Sequence, residues 1–457
     1  MSRTNKTPSR REFFKTTGAA AATTALAGMV VPHVHAAENN TIQVALIGCG
    51  GRGTGAAADA LSVKQGPLKL VAMADAFQDR LNGSYNGLKD HGDKVDVPKE
   101  RQFVGLEAYK HAMDCLKPGD IAIFATPPAF RWVHFTYAVQ KGLNVFMEKP
   151  VTVDGPTTRR MIELGKAAAA KNLKVGVGLM SRHSRHLEQL SKRIQDGEIG
   201  DIVLMRGYRM HGPVGSMASP PKPAGTSEME YQLRRFHSFL WASGGCYSDF
   251  YIHIIDHCCW MKGAWPVSAL GLGGRHYRDN NVDQNFDTYS IEYTFADETK
   301  FIMDGRCMGG CDDVYKSFAH GTKGTAIMSR GGDCGGPSST FKGLGSKQSD
   351  LLWTSKVKGD EGNPYQNEWN DLVDAIRNDK PYNEVERGAM GSLVTSLGRM
   401  SAHTGNLVTL DEILNGPHEF APGLDKITKL DEPAPLMPGP NGKYPVPQPG
   451  LVTKREY

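Results

Sequence analysis

TIQVALIGCGGRGTGAAADA, residues 41–60, passes from a β-branched apolar run through a glycine-rich turn into an alanine-rich helical stretch. Strand, glycine turn and helix in that order are the start of a dinucleotide-binding unit. In such a unit Gly48 makes the tight turn, Gly50 lets the backbone approach a pyrophosphate, and Gly53 lets the helix pack closely on the strand. Gly51 and Arg52 complete the turn, and the phosphates rest on the helix N-terminus. The next apolar run, residues 68–74, ends in Asp75, 22 residues beyond Gly53, where the carboxylate that binds an adenosine ribose is expected. A carboxylate there accepts hydrogen bonds from both ribose hydroxyls and repels a 2′-phosphate. Asp75 is followed by Ala76 rather than an arginine, so the cofactor expected is NAD in preference to NADP.

Further along, DIAIFA (residues 120–125) leads into Thr126-Pro127-Pro128, a helical stretch over 130–141 and another strand over 143–147. The alternation is βαβ, and the fold class is α/β with an N-terminal Rossmann domain. From residue 267 to about 329, short alternating runs such as TYSIEYTF (288–295) between glycine turns predict antiparallel sheet. Helices are expected over 365–377 and 388–402. Residues 417–457 hold nine prolines and read as an extended tail that embraces a neighbouring subunit or hangs loose. The expected organisation is a leader over 1–36, a cofactor domain over 37–152, a sheet domain over 153–415 and the tail over 416–457.

The chain has 457 residues with formal charge +4, and residues 1–36 alone carry five basic side chains against one acid. The rest is neutral overall, which excludes the electrostatic footprint of a nucleic-acid or anionic-membrane binder and favours a small molecule as partner. The leader combines SRREFFK (residues 9–15) with a weakly apolar run too short to span a bilayer, and ends in a small-residue cleavage pattern. The paired arginines match the twin-arginine export signal, so a periplasmic or extracytoplasmic protein with no membrane anchor is expected, carried out folded with its cofactor. The eight cysteines include no CxxC pair and are assigned no chemistry. His253 and His257 have metal-ligand spacing on a helix, but no third ligand is placed by spacing and no metal is expected.

Glu148-Lys149-Pro150 at the end of the 143–147 strand, with the TPP turn and the glycine turn upstream, resembles the Gfo/Idh/MocA oxidoreductases, the family of glucose-fructose oxidoreductase and inositol dehydrogenase. A second segment, GGCYSDFYIHIID (residues 244–256), fits the family pattern GGxxxDxGxHxxD except at Tyr251, where the family often has glycine. The resemblance implies a C-terminal α/β domain built on a large, mainly antiparallel open sheet. It also implies assembly into homo-oligomers, and a proton-handling triad of Lys149, Asp249 and His253. Thr126, Pro127, Glu148 and Lys149 are expected beside the nicotinamide.

The triad also suits the chemistry on its own terms. Oxidising a carbinol needs a base for the hydroxyl proton and a cation for developing alkoxide charge, which an imidazole and an ammonium supply. Arg182 and His183 follow a strand that, by the resemblance, faces the site, and are expected substrate contacts. Trp241, in the loop over residues 208–241, and Tyr251 are expected to touch a sugar or polyol. Two activities fit: NAD-dependent oxidation of a secondary hydroxyl of a sugar, glycoside or polyol, and a redox-neutral glycosidase using bound NAD, with Tyr251 or Tyr247 as the extra acid or base.

Overall fold

A computed structural model describes residues 40–331 and 336–457; the leader expected over residues 1–36 and Cys334 lie outside them. The first sheet comprises β1 (Ile42–Ile47), β2 (Leu68–Asp75), β3 (Gln102–Val104), β4 (Ile121–Phe124), β5 (Asn144–Met147) and β6 (Val175–Val177). They lie in the order β3-β2-β1-β4-β5-β6, all parallel. Helices cover both faces. Val44 and Leu46 pack with Trp369, Leu372 and Ile376 on one side, while Ala45 and Ile47 pack with Phe135 and Val139 on the other. A sheet buried on both faces needs continuous apolar strands, which is what the sequence shows. The sixth strand comes from beyond residue 152, and the covering helix Pro364–Arg377 comes from the far end of the chain, with Trp369 stacked on Phe146 at 4.5 Å.

The second sheet contains β7 (Ile202–His211), β8 (Ser268–Gly274), β9 (Thr288–Thr294), β10 (Lys300–Cys307), β11 (Val314–Gly321), β12 (Gly324–Ser329), β13 (Ser339–Lys342), β14 (Leu351–Thr354) and β15 (Val408–Thr409). Its order is β14-β13-β12-β11-β7-β10-β9-β8-β15. Every pairing is antiparallel except β7 with β10. In β9 and β10 burial alternates residue by residue. One face packs on the helices Gly245–Lys262 and Val385–Thr404, and the other is open. The second of these helices ends at left-handed Gly405.

The tail departs from expectation. It holds no regular element beyond a single 3-10 turn at Leu424–Lys426, but Phe420, Leu424, Leu436 and Tyr444 are spaced so that each is buried against the same chain, beside Phe239 and Trp241. Glu456 is 1% exposed. Its carboxylate accepts from Arg399 Nε and Nη2, both at 2.9 Å, and lies 2.7 Å from His403 Nδ1. No described helix is long and apolar enough to cross a membrane.

Candidate active site

At the carboxyl end of the first sheet lies a cavity of about 720 Å³. Gly48, Gly50, Gly51, Arg52, Gly53, Asp75, Thr126 and Pro127 all line it. Gly48 has φ +99°, and a Cβ on Gly53 would stand 1.9 Å from the Gly48 carbonyl oxygen, so neither position admits a side chain. Gly50 and Gly51 have open space where a Cβ would be. Gly50 caps the helix Gly51–Leu61 without a side-chain hydrogen bond, which leaves the first-turn N–H groups for an anion. This cradle fits a pyrophosphate.

Asp75 accepts from Cys49 N–H at 2.6 Å through Oδ2 and from Phe77 N–H at 2.9 Å through Oδ1. Each oxygen keeps a second lone pair, so the carboxylate can still receive ribose hydroxyls. Burial pushes its pKa up, against those two backbone bonds and Arg80.

At the end of β5 the two residues of the EKP segment diverge. Glu148 is buried and pairs with Arg52 Nε at 3.0 Å, tying the glycine turn after β1 to the end of β5, two strands away. Burial raises its pKa against Arg52, Lys149 and Arg131. Glu368, equally buried, lies within the field of the same Arg52 and is pushed well up by burial and by Glu148. Lys149 turns the other way: its Nζ donates to the Asp249 carbonyl oxygen at 2.5 Å and stands 3.5 Å from Asp249 Oδ1.

The helix Gly245–Lys262 starts from left-handed Gly244 and Gly245 and is buried for nearly its whole length. Asp249 and His253 are one turn apart on it and share a face. Burial opposes ionisation of Asp249, but Lys149, His237 and His253 outweigh it and hold the carboxyl below the usual range. Burial, then Lys149 and Arg209, hold His253 well below the ordinary imidazole value, so it is a neutral base at neutral pH.

His237 belongs to this group and was not among the residues expected there. Ser216 N–H donates to its Nδ1 at 3.3 Å, which leaves the proton on Nε2, 3.4 Å from Asp249 Oδ2. Its ring stacks on Phe250 at 5.5 Å and lines the cofactor cavity. It therefore joins the Lys149–Asp249 pair to the cavity wall. In the sequence it is signalled only by its place in the loop over residues 208–241. On the floor, Arg131 Nη2 donates to the Thr126 carbonyl oxygen at 2.9 Å, and Thr126 Oγ1 is 3.2 Å from His134 Nδ1. Burial, with Arg131, lowers the His134 pKa to about 3.

Four expected substrate contacts are placed elsewhere. Arg182 forms a two-pronged pair with Asp256, both contacts at 2.9 Å, and lies over Trp260. His183 is held by Asp371 at 2.7 Å and Glu384 at 3.2 Å. Trp241 is fully buried and donates through Nε1 to Gln232 Oε1 at 2.7 Å. Tyr251 is fully buried and lies over Gly305, where a Cβ would stand 2.1 Å from its ring. The large side chain in place of the family's glycine is thus accommodated by a glycine on β10, away from the cavity. Tyr247 also faces the core, with its hydroxyl 2.9 Å from that of Tyr293. Among the described residues no cluster of three or more His, Cys, Asp and Glu side chains is placed to hold a metal.

No known family model matches the sequence. An inositol 2-dehydrogenase of Corynebacterium glutamicum (strain R) is 27% identical over 163 residues, 34% of this chain and 47% of that one. The scyllo-inositol 2-dehydrogenase (NAD(+)) of Bacillus subtilis is 28% identical over 161 residues, 34% of this chain and 39% of that one. The chain thus spans less than half the length of these curated relatives. In structure, scyllo-inositol dehydrogenase from Lactobacillus casei, solved with NAD(H) and scyllo-inositol, superimposes with a TM-score of 0.59 at 19% identity, covering 81% of this chain and 99% of that one. The protein has the fold of the inositol dehydrogenases and shares sequence with them over about a third of its length.

Proposed function

We propose that the protein is an NAD-dependent oxidoreductase of the Gfo/Idh/MocA type that oxidises a secondary hydroxyl of a sugar, glycoside or polyol. The observation that carries this is the joining of Lys149 and Asp249, through His237, to the wall of a cavity built for a dinucleotide. The cradle at Gly50 and Gly51 would hold the pyrophosphate, Asp75 the adenosine ribose, and Thr126 and Pro127 the nicotinamide end. NAD, when bound, supplies the hydride acceptor. The Lys149 Nζ donates to the carbinol oxygen and stabilises its developing charge. The neutral His253 imidazole takes the hydroxyl proton. Asp249, ionised, orients Lys149, and His237 Nε2–H fixes the free oxygen of Asp249. Relatives named as inositol dehydrogenases support a polyol substrate class, and the carboxylate of Asp75 favours NAD over NADP.

We read the pattern SRREFFK as an export signal, so the enzyme works outside the cytoplasm with cofactor acquired before export, and as a homo-oligomer. The glycosidase alternative needs another acid or base at the site, and both tyrosines considered for it are turned into the core. Purified protein incubated with NAD and a panel of polyols, sugars and aryl glycosides, with NADH absorbance and aglycone release followed together, tests the reading. NADH formation without aglycone release is expected. Release of free sugar at constant NAD overturns it.

A further inference from the structure

On β7 and β11, Gly207 lies opposite Ser317 and Arg209 opposite Tyr315. Residues two apart on a strand point to the same side, so the two pairs face one way. That way is toward the helix carrying Asp249 and His253. A Cβ on Gly207 would stand 2.4 Å from Ile254 Cγ2, and Ser317 Oγ is 2.8 Å from His257 Nε2. On β10, Gly305 is in register with Arg209 and meets the ring of Tyr251. Moving along β7 from 207 to 209 therefore moves back along the helix from residue 254 toward 251. The pair Arg209 and Tyr315 lies beside the turn from Phe250 to His253, and Arg209 is one of the cations acting on His253.

The Arg209 guanidinium lies 3.8 Å from the centre of the Tyr315 ring. Its neighbours on the sheet are answered by the chain: Arg206 pairs with Asp304, and Arg306 donates to the Asp312 carbonyl oxygen. Among the described residues, Arg209 meets no carboxylate within ion-pair distance, and the Tyr315 hydroxyl is buried with no hydrogen-bond partner. The Lys149 charge is matched by Asp249, so Arg209 is an unmatched cation beside the reacting group. A guanidinium offers a planar fork of donors that fits a carboxylate, and a phenol adds a further donor. Leaving both idle around a neutral polyol forfeits charge-assisted hydrogen bonds.

We propose that the substrate is a carbohydrate bearing a carboxylate, held by Arg209 and the Tyr315 hydroxyl while its carbinol lies at Lys149 and His253. This rests on the dehydrogenase reading above. The test uses the NAD-loaded protein with matched pairs: D-glucuronate against D-glucose, and D-gluconate against D-glucitol. NADH formation is measured, and calorimetric binding of D-glucuronate is measured beside it. The acid is expected to exceed its neutral partner in kcat/KM by about tenfold or more. Arg209→Gln is expected to collapse that ratio and weaken glucuronate binding by about the same factor, and Tyr315→Phe to do so by a smaller one. An unchanged affinity for NAD shows that the variants are folded. If neutral and acidic members are used equally and Arg209→Gln leaves their ratio alone, the proposal is overturned and the dehydrogenase reading stands. If NAD binds and no member of either pair yields NADH or binds, both are overturned.

Discussion

The protein contains two groupings of a cation, a carboxylate and an imidazole, one fully buried and one partly exposed, and they do different work. In the first, Arg399, Glu456 and His403 spend nearly all their hydrogen-bonding capacity on the chain. Arg399 holds both oxygens of Glu456 at 2.9 Å, its other donors reach the Gly244 and Val153 carbonyl oxygens and Ser248, and His403 Nε2 meets the Tyr289 hydroxyl at 2.9 Å. In the second, the Lys149, Asp249 and His237 side chains stand farther apart, at 3.5 and 3.4 Å, and Lys149 keeps one donor unspent. The residue types are nearly the same. What separates a clasp from a site is the capacity left over for a ligand.

The comparison breaks most visibly at Lys149. Lys149→Ala is expected to lower kcat by about 10²- to 10⁴-fold while the free energy of unfolding falls by less than about 2 kcal/mol. Steady-state NADH formation and denaturant unfolding decide this, and a variant that keeps its rate removes Lys149 from the chemistry. At the clasp the order is reversed. Glu456→Ala strands the Arg399 charge and is expected to cost about 3–5 kcal/mol of stability in the same unfolding measurement. A loss below about 1 kcal/mol makes the clasp dispensable.

Acid sharpens the contrast. Burial works against ionisation of Glu456, but Arg399 and His403 outweigh it and depress its pKa from the ordinary 4.5. Glu384 is depressed to about 2, where Arg387 and His183 overcome the effect of burial. A carboxylate depressed in the folded state contributes stability that is complete above its unfolded pKa and drains away as pH falls through the folded one. Unfolding free energy should therefore decline below about pH 4.5. The decline should be shallower in Glu456→Gln than in the wild type, and equal slopes would count against the clasp.

The smallest effect is at His237, a positioning residue. His237→Ala is expected to lower kcat by about tenfold with KM little changed, because it removes one charge-assisted hydrogen bond to Asp249. The acid limb of the pH–rate profile should move upward as Asp249 loses a donor, and His237→Gln, which restores an N–H, should recover part of both. No movement of that limb would leave His237 as ring packing against Phe250.

The cofactor half was legible because its signals are local. The glycine turn, Asp75 and the Glu148-Lys149 pair each lie at the end of a short apolar strand, and their spacing carries the geometry. The sheet domain was legible in its alternation but not in its one parallel pairing, which no short-range pattern encodes. The misplacement of Tyr251 was avoidable in principle. It lies two residues from both Asp249 and His253, which at 100° per residue puts it on the opposite side of the helix. Arg182 and His183 were illegible for a different reason: their partners, Asp256 and Asp371, are 74 and 188 residues away. The same holds for His237, whose role depends on a serine behind it. In the tail, proline content was read ahead of the apolar residues spaced between the prolines.

The parallel pairing of β7 with β10 has a consequence for how the folded protein comes into being. The chain that links those strands runs from His211 to Lys300 and contains the whole helix Gly245–Lys262. That helix gains its supporting surface only when two distant segments have met, and closing so long a loop is among the slower events available to a chain. Recovery of catalysis after dilution from denaturant should thus lag recovery of helical circular dichroism, and the lag marks the moment the central strands join.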